Sequence, residues 1–285
     1  MGIFNRHYER PGPGVRKDEP KKKGLRRFFE IFLLEFLSLV KLNILFCLSA
    51  LPSAALFVFG LFGTGGTLMI LLSVPAAFPI GGAITSCVFC IVKMLRDDPG
   101  YAFYEFWRKF KENVLQSAVP GIFYTAFVYI QLYFWIGMSV GEIEISFGTM
   151  TLLIVSATFF EMIIPYVFLQ TAYVALKNPA IMKNSVLIAI KNAPKSFCGM
   201  ILGRSFWIAS LLFFPLSMWW APFLLMFGFT LSWLINLMWI WPAADGIFSI
   251  DKALKAVQLQ KTEDILPIFT SREPPEKHIL GNRRR

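Results

Sequence analysis

Histidine is nearly absent from this 285-residue chain: there are two, His7 and His278, one near each end. A histidine-based metal centre in the long apolar stretches between them is thereby excluded, as is a histidine general base there. Cysteine is also scarce, and its four copies, Cys47, Cys87, Cys90 and Cys198, all stand in apolar surroundings. An extracellular disulfide framework has a different pattern, so these thiols read as packing residues. Cys87 and Cys90 form a CxxC, but with no histidine near it and an apolar run around it, where neither zinc nor redox chemistry is expected. No GxSxG elbow and no phosphate-cradling glycine loop occurs. Enzymatic activity, a cofactor and a bound metal are therefore not expected.

Hydrocarbon is what the chain has in excess. Its hydrophobic fraction is 56% and its mean hydropathy +0.58, above the roughly 45–50% apolar content of soluble domains. The expected fold class is an all-α polytopic membrane bundle, with no second globular domain. A net charge of +10 would suggest nucleic acid as a partner of a soluble protein. Here the basic residues lie between apolar runs, so nucleic acid is not expected and the charge marks orientation instead. The first 29 residues are polar, and the apolar run after them is too long for a signal-peptide core, so no cleaved leader is expected.

A helix crossing about 30 Å of hydrocarbon needs about 20 apolar residues. Six stretches qualify: 42–62, 68–95, 118–140, 149–176, 197–219 and 222–241. Pro75, Pro79 and the pair Gly81 and Gly82 bend the second, while Pro215 and Pro222 make the fifth and sixth a tight hairpin. With a cytoplasmic N-terminus, the outside segments 63–66, 141–148 and 219–222 contain no lysine or arginine. Every basic residue then lies toward the cytoplasm, as do both termini. The chain divides into a basic N-terminal segment (1–24), an interfacial amphipathic helix (25–41), a transmembrane domain (42–241) and a cytoplasmic tail (242–285).

Two further segments read as in-plane amphipathic helices facing anionic headgroups of the bilayer. In 97–117, Phe103, Phe106, Trp107 and Phe110 recur at helical spacing among charges, and 177–196 follows a similar plan. Asn113 answers Asn192 and Ser117 answers Ser196, which suggests a parallel internal repeat. The residues Arg96, Asp97, Trp107, Phe110, Lys111, Asn113 and Gln116 are candidates for a partner or lipid interface.

Within the spans Glu161 is the sharpest feature, because it is the one acidic residue near the middle of a span and buried ionisable groups there are functional candidates. It serves either as a proton or cation ligand or as a structural partner of Arg204, Asn236 or Gln131, and pairing is the preferred expectation. Glu161, Arg204 and Asn236 form the candidate intramembrane polar site. Arg204 is placed to snorkel toward headgroups, and Asn43 and Asn236 to hydrogen-bond between helices.

Several motifs coincide: MGIFN at 1–5, LN followed by an apolar run ending at Pro52, PIGGA at 79–83 and KMLRDDPGYAFYEFWRKFKENVLQS at 93–117. In these the chain resembles the YesL family of bacterial integral membrane proteins, whose members share an RD followed by a W-x-x-F-K-x-N-x-x-Q-like segment. Trp107, Phe110, Lys111, Asn113 and Gln116 carry the most specific part. The resemblance implies residence in the bacterial cytoplasmic membrane. It also implies a non-catalytic accessory role beside a carbohydrate uptake system, with an ABC transporter or another membrane protein as partner. The competing expectation is a small-solute transporter with a midplane polar site near Glu161.

Overall fold

The computed structural model describes residues 24–63, 66–98, 100–212 and 223–257. It is an all-α polytopic bundle. In chain order the helices are α1 (Leu25–Leu34), α2 (Phe36–Phe62), α3 (Gly66–Ser73), α4 (Phe78–Arg96), α5 (Ala102–Ser139), α6 (Phe147–Tyr173), α7 (Asn178–Lys191), α8 (Ala193–Leu212) and α9 (Phe229–Phe248). A 3-10 turn at Pro75–Ala77 joins α3 to α4, and a π-helical turn at Leu224–Gly228 leads into α9. Five stretches are long and apolar enough to span: Phe36–Phe62, Gly66–Arg96, Ala102–Ser139, Phe147–Tyr173 and Met226–Phe248. The pair Asn178–Lys191 and Ala193–Ser205, bent by 97°, makes a sixth if counted as one broken span.

The prolines act where the sequence places them. Pro75 and Pro79 interrupt the second span into α3, the 3-10 turn and α4. Ser146 caps α6 by accepting the N–H of Thr149 at 3.2 Å, and Pro179 opens α7, where its missing donor costs nothing.

Three expected boundaries shift. The first apolar segment breaks at Glu35, not after Lys41, so the helix expected over 25–41 is only α1 and the candidate span begins at Phe36. A lone lysine six residues into a helix does not end it, because its long stem lifts the charge toward the helix end. Segment 97–117 is not a separate in-plane helix: α5 runs unbroken for 38 residues, roughly 57 Å at 1.5 Å per residue. No breaker stands between Lys111 and Ala118, and Pro120 is absorbed without ending the helix. Pro120 cannot donate to the carbonyl of Gln116, and that carbonyl instead accepts Asn178 Nδ2 at 2.9 Å. The third shift concerns 177–196, which divides at Asn192 rather than after Ser196. The two segments read as repeats are thus built differently, one as a straight extension and the other as a sharp bend. The N-terminal segment before Gly24, residues 213–222 of the expected hairpin and the tail beyond Val257 lie outside the described residues.

The centre of the bundle is α4, buried from Ile80 to Val92 and packed on α2, α5, α6 and α9. Gly81 and Gly121 let α4 and α5 touch backbone to backbone: a Cβ on either would collide with the other helix's main chain. Gly203 likewise brings α8 against the Ser232 carbonyl of α9, and Gly199 leaves room for the Trp239 side chain. Small residues one turn apart are how apolar helices gain contact when hydrophobicity no longer drives them together.

Candidate functional site

Four helices converge on one polar cluster deep in the bundle. From α6, Glu161 presents its carboxylate; from α8, Arg204 donates to Glu161 Oε2 through Nε at 2.9 Å and Nη2 at 2.7 Å. Tyr124 of α5 completes the triangle, its hydroxyl donating to Glu161 Oε1 at 3.3 Å and accepting from Arg204 Nη2 at 2.9 Å. Ser232 of α9 accepts from Arg204 Nη1 at 3.3 Å and passes its own proton to the carbonyl of Gly203. The guanidinium also lies 5.9 Å from the ring of Trp233, within range of a cation–π contact.

The chain's local features explain the convergence. Glu161 stands four residues before Pro165 and Tyr124 four after Pro120, so both site helices carry a missing backbone bond within a turn of the cluster. Gly203 brings α8 close enough to α9 for Arg204 to reach Ser232. The energetics follow from the solvent. One charged side chain at a bilayer centre costs about 2.5–3.5 kcal/mol by insertion measurements, whereas here the two charges cancel and both carboxylate oxygens are engaged.

The expected pairing of Glu161 with Arg204 is thus present, while neither of its other two suggested partners bonds to it. Gln131 donates to the Leu153 carbonyl and to Ser156. Asn236 is buried against Gly203, and its Oδ1 has no hydrogen-bond partner among the described residues. Arg204 turns toward Glu161, Tyr124 and Ser232, which take four hydrogen bonds from its guanidinium. Asn43 does bridge helices: its Oδ1 accepts the N–H groups of Phe229 and Thr230, both at 3.1 Å.

The residues expected to form a partner or lipid surface mostly face inward, on the basic side of the bundle. Arg96 pairs with Asp98 at 2.6 Å and Asp251 at 2.9 Å. Asp97 pairs with Arg27, which also holds Glu30 and the Leu95 carbonyl. Burial opposes the charge of Arg27, yet the hydrogen bonds to Asp97 and Glu30 leave its pKa above the usual guanidinium value. Phe110 packs over Gly82, Asn113 bonds the Lys109 carbonyl, and Gln116 donates to the Leu176 carbonyl at 2.6 Å. Asp97, Trp107 and Lys111 stay on the surface. Of the cysteines, Cys87 and Cys90 are buried as expected for packing, but Cys198 is exposed.

Two cavities open near the same side. One, of about 20 Å³, is lined by Glu35, Lys93, Asp98 and Glu105 among others; the second is an open groove of about 500 Å³ beside Gln116, Lys177 and Asn178. Neither is lined by Glu161 or Arg204. No group of three or more candidate metal ligands occurs among the described residues.

Sequence reading missed Tyr124, Ser232 and Gly203. The GxxxG spacing of Gly199 and Gly203 was the available signal for a close helix pair. A tyrosine or serine in an apolar run carries no comparable mark. No protein-family model, curated protein or solved structure matches the chain.

Proposed function

We propose that this chain is a non-catalytic accessory or regulatory protein of the bacterial cytoplasmic membrane, with both termini in the cytoplasm, serving a carbohydrate ABC uptake system. The observation that carries the non-catalytic part is the saturation of the polar cluster. Glu161 has both oxygens engaged and Arg204 is shared among three partners, so the site lacks a free base or an open ligand position. A closed ion pair locks helices. The uptake system enters through the resemblance to the YesL family. Tagging the chain in its own cell and purifying it in mild detergent tests the reading. A permease or ATPase subunit of such a system should copurify in fixed ratio, and isolation of the chain alone refutes it.

A small-solute transporter is the second reading, favoured by one feature: α9 carries two buried polar atoms without hydrogen-bond partners among the described residues, Trp233 Nε1 and Asn236 Oδ1, beside the ion pair. Broken helices with exposed polar groups form the sites of many transporters. Flux of a sugar or amino acid into proteoliposomes, abolished by Glu161→Gln in a folded variant, would establish this reading over the first.

A further inference from the structure

Two groups of cations in the bundle differ in what they meet. At the corner between α4 and α5, Lys111 apart, they meet acids: Lys93 and Arg108 share Glu105, Arg96 holds Asp98 and Asp251, and Lys109 holds Glu112. Around α7 they do not. Lys177, Lys183, Lys191 and Lys195 are all exposed, and none has an ion-pair partner among the described residues. The sequence holds no Asp or Glu between Glu161 and Asp245, so no neighbouring stretch supplies one.

The geometry sets α7 along the bilayer surface. α8 runs antiparallel to the candidate span α9, with Gly199 against Trp239 and Gly203 against Ser232, and α7 meets α8 at 97°. A helix at a right angle to the spans lies in the membrane plane. Its depth follows from α6. Glu161 lies near the middle of that helix, which ends twelve residues further on at Tyr173, about 18 Å along the axis. Half the hydrocarbon thickness is about 15 Å, so α6 delivers α7 to the level of the headgroups. Ile181, Ser185 and Ile188 face the bundle, where Ser185 takes a hydrogen bond from Gln170 at 2.7 Å. The opposite face carries Lys183 and Lys191, one turn to either side of the exposed Leu187, with the exposed Ile190 beside them.

We propose that α7 binds anionic phospholipid, its lysines taking headgroup phosphates while Leu187 and Ile190 enter the acyl boundary. The groove of about 500 Å³ at its start, beside Gln116 and Lys177, seats one headgroup. Asn178 holds the wall of this groove by donating to the Gln116 carbonyl at 2.9 Å. Charge selects the occupant: four uncompensated cations on one surface attract an anionic layer, and at this depth the layer at hand is lipid phosphate. The inference goes beyond the accessory reading and does not depend on it, since lipid binding fits either function.

Native mass spectrometry of the whole chain in detergent micelles, titrated with phosphatidylglycerol or with phosphatidylcholine of the same acyl chains, reads the affinity for each. Phosphatidylglycerol is expected to bind about tenfold more tightly or better, a ratio that two lysines at an anionic surface suffice to supply. Lys177→Gln, Lys183→Gln, Lys191→Gln and Lys195→Gln together should bring the ratio near one, whereas arginine at all four positions keeps it and Lys111→Gln on α5 leaves it unchanged. Equal affinities in the unaltered protein overturn the proposal and leave the lysines to an acidic protein partner. Displacement of the lipid by millimolar inorganic phosphate overturns it as well, because the site then takes a free anion. So does a ratio that survives the glutamine variant or falls with Lys111→Gln. The comparison of the two lipids on the unaltered chain needs no variant, so a folding failure of the glutamine variant leaves the test intact.

Discussion

Asn43 and Thr230 are joined across 187 residues of sequence by a hydrogen bond of 3.1 Å from the Thr230 backbone N–H to the Asn43 side-chain oxygen. The same oxygen takes the Phe229 N–H. These two amides follow directly on the π-helical turn at Leu224–Gly228, where the regular backbone ladder changes register. Thr230 also returns its hydroxyl proton to the Leu39 carbonyl at 3.2 Å. One side chain of α2 thus fixes where α9 begins, and so where Ser232 meets Arg204.

Replacing Asn43 by leucine removes an acceptor from two buried donors. Each unsatisfied group costs about 1–3 kcal/mol, so a loss of roughly 2–6 kcal/mol is expected. Thermal or denaturant unfolding in detergent measures it, and a loss below about 1 kcal/mol would show that the amides find other partners.

The Glu161 and Arg204 pair has a signature in a double-mutant cycle. Arg204→Leu leaves a buried carboxylate and is expected to cost about 3–5 kcal/mol. Adding Glu161→Leu should restore a large part of that loss, because an apolar pair suits the hydrocarbon. Additive losses in the double variant would count against direct coupling.

Glycine packing separates two otherwise similar substitutions. Gly81→Ala drives a methyl into the Ser117 carbonyl and should destabilise by about 1–3 kcal/mol or more, since backbone cannot step aside. Gly246→Ala meets nothing within 4 Å and lies inside α9, so it should be neutral or stabilise by up to about 1 kcal/mol. Melting temperatures of the two variants, compared with the parent, decide the matter.

On the basic side, hydrogen bonds from Lys255 and Arg96 hold the Asp251 carboxyl below the usual carboxylate range. A lowered value means that this group stabilises the fold fully above the ordinary carboxylate pKa and less as pH falls through the lowered one. Arg96→Gln removes one of the two cations. The Asp251 pKa should then rise toward its ordinary value, read by a carboxyl carbon-13 titration; an unchanged midpoint would show that Lys255 alone sets it.

Five of the six expected spans were legible because hydrocarbon thickness imposes a length that composition reveals, while the expected span 197–219 runs into residues outside the described ones. The break in the second span was legible from Pro75 and Pro79, which remove donors wherever they fall. Helix joints inside charged segments were not. Glu35 ends a helix while Lys41 does not, and composition treats both as interfacial charges. The straight run of α5 was hidden for a related reason: the amphipathic pattern of 102–117 is equally that of an in-plane helix or a projecting one. At the site, Glu161 and Arg204 stood out because charge in an apolar run is rare. Tyr124 and Ser232 did not, since hydroxyls in spans are common and their partners are set only by helix packing.

Glu161 and Arg204 are also separated in time. Forty-three residues lie between them along the chain, and at about 5–20 residues per second roughly 2–9 s of synthesis passes before the guanidinium follows the carboxylate. Tyr124 precedes both. During that interval its hydroxyl is the member of the cluster already made, so α6 enters the bilayer with a neutral hydrogen-bond donor available to its acid. The order of the residues along the polypeptide thus doubles as an order of synthesis, with Ser232 of α9 reaching the cluster after the arginine.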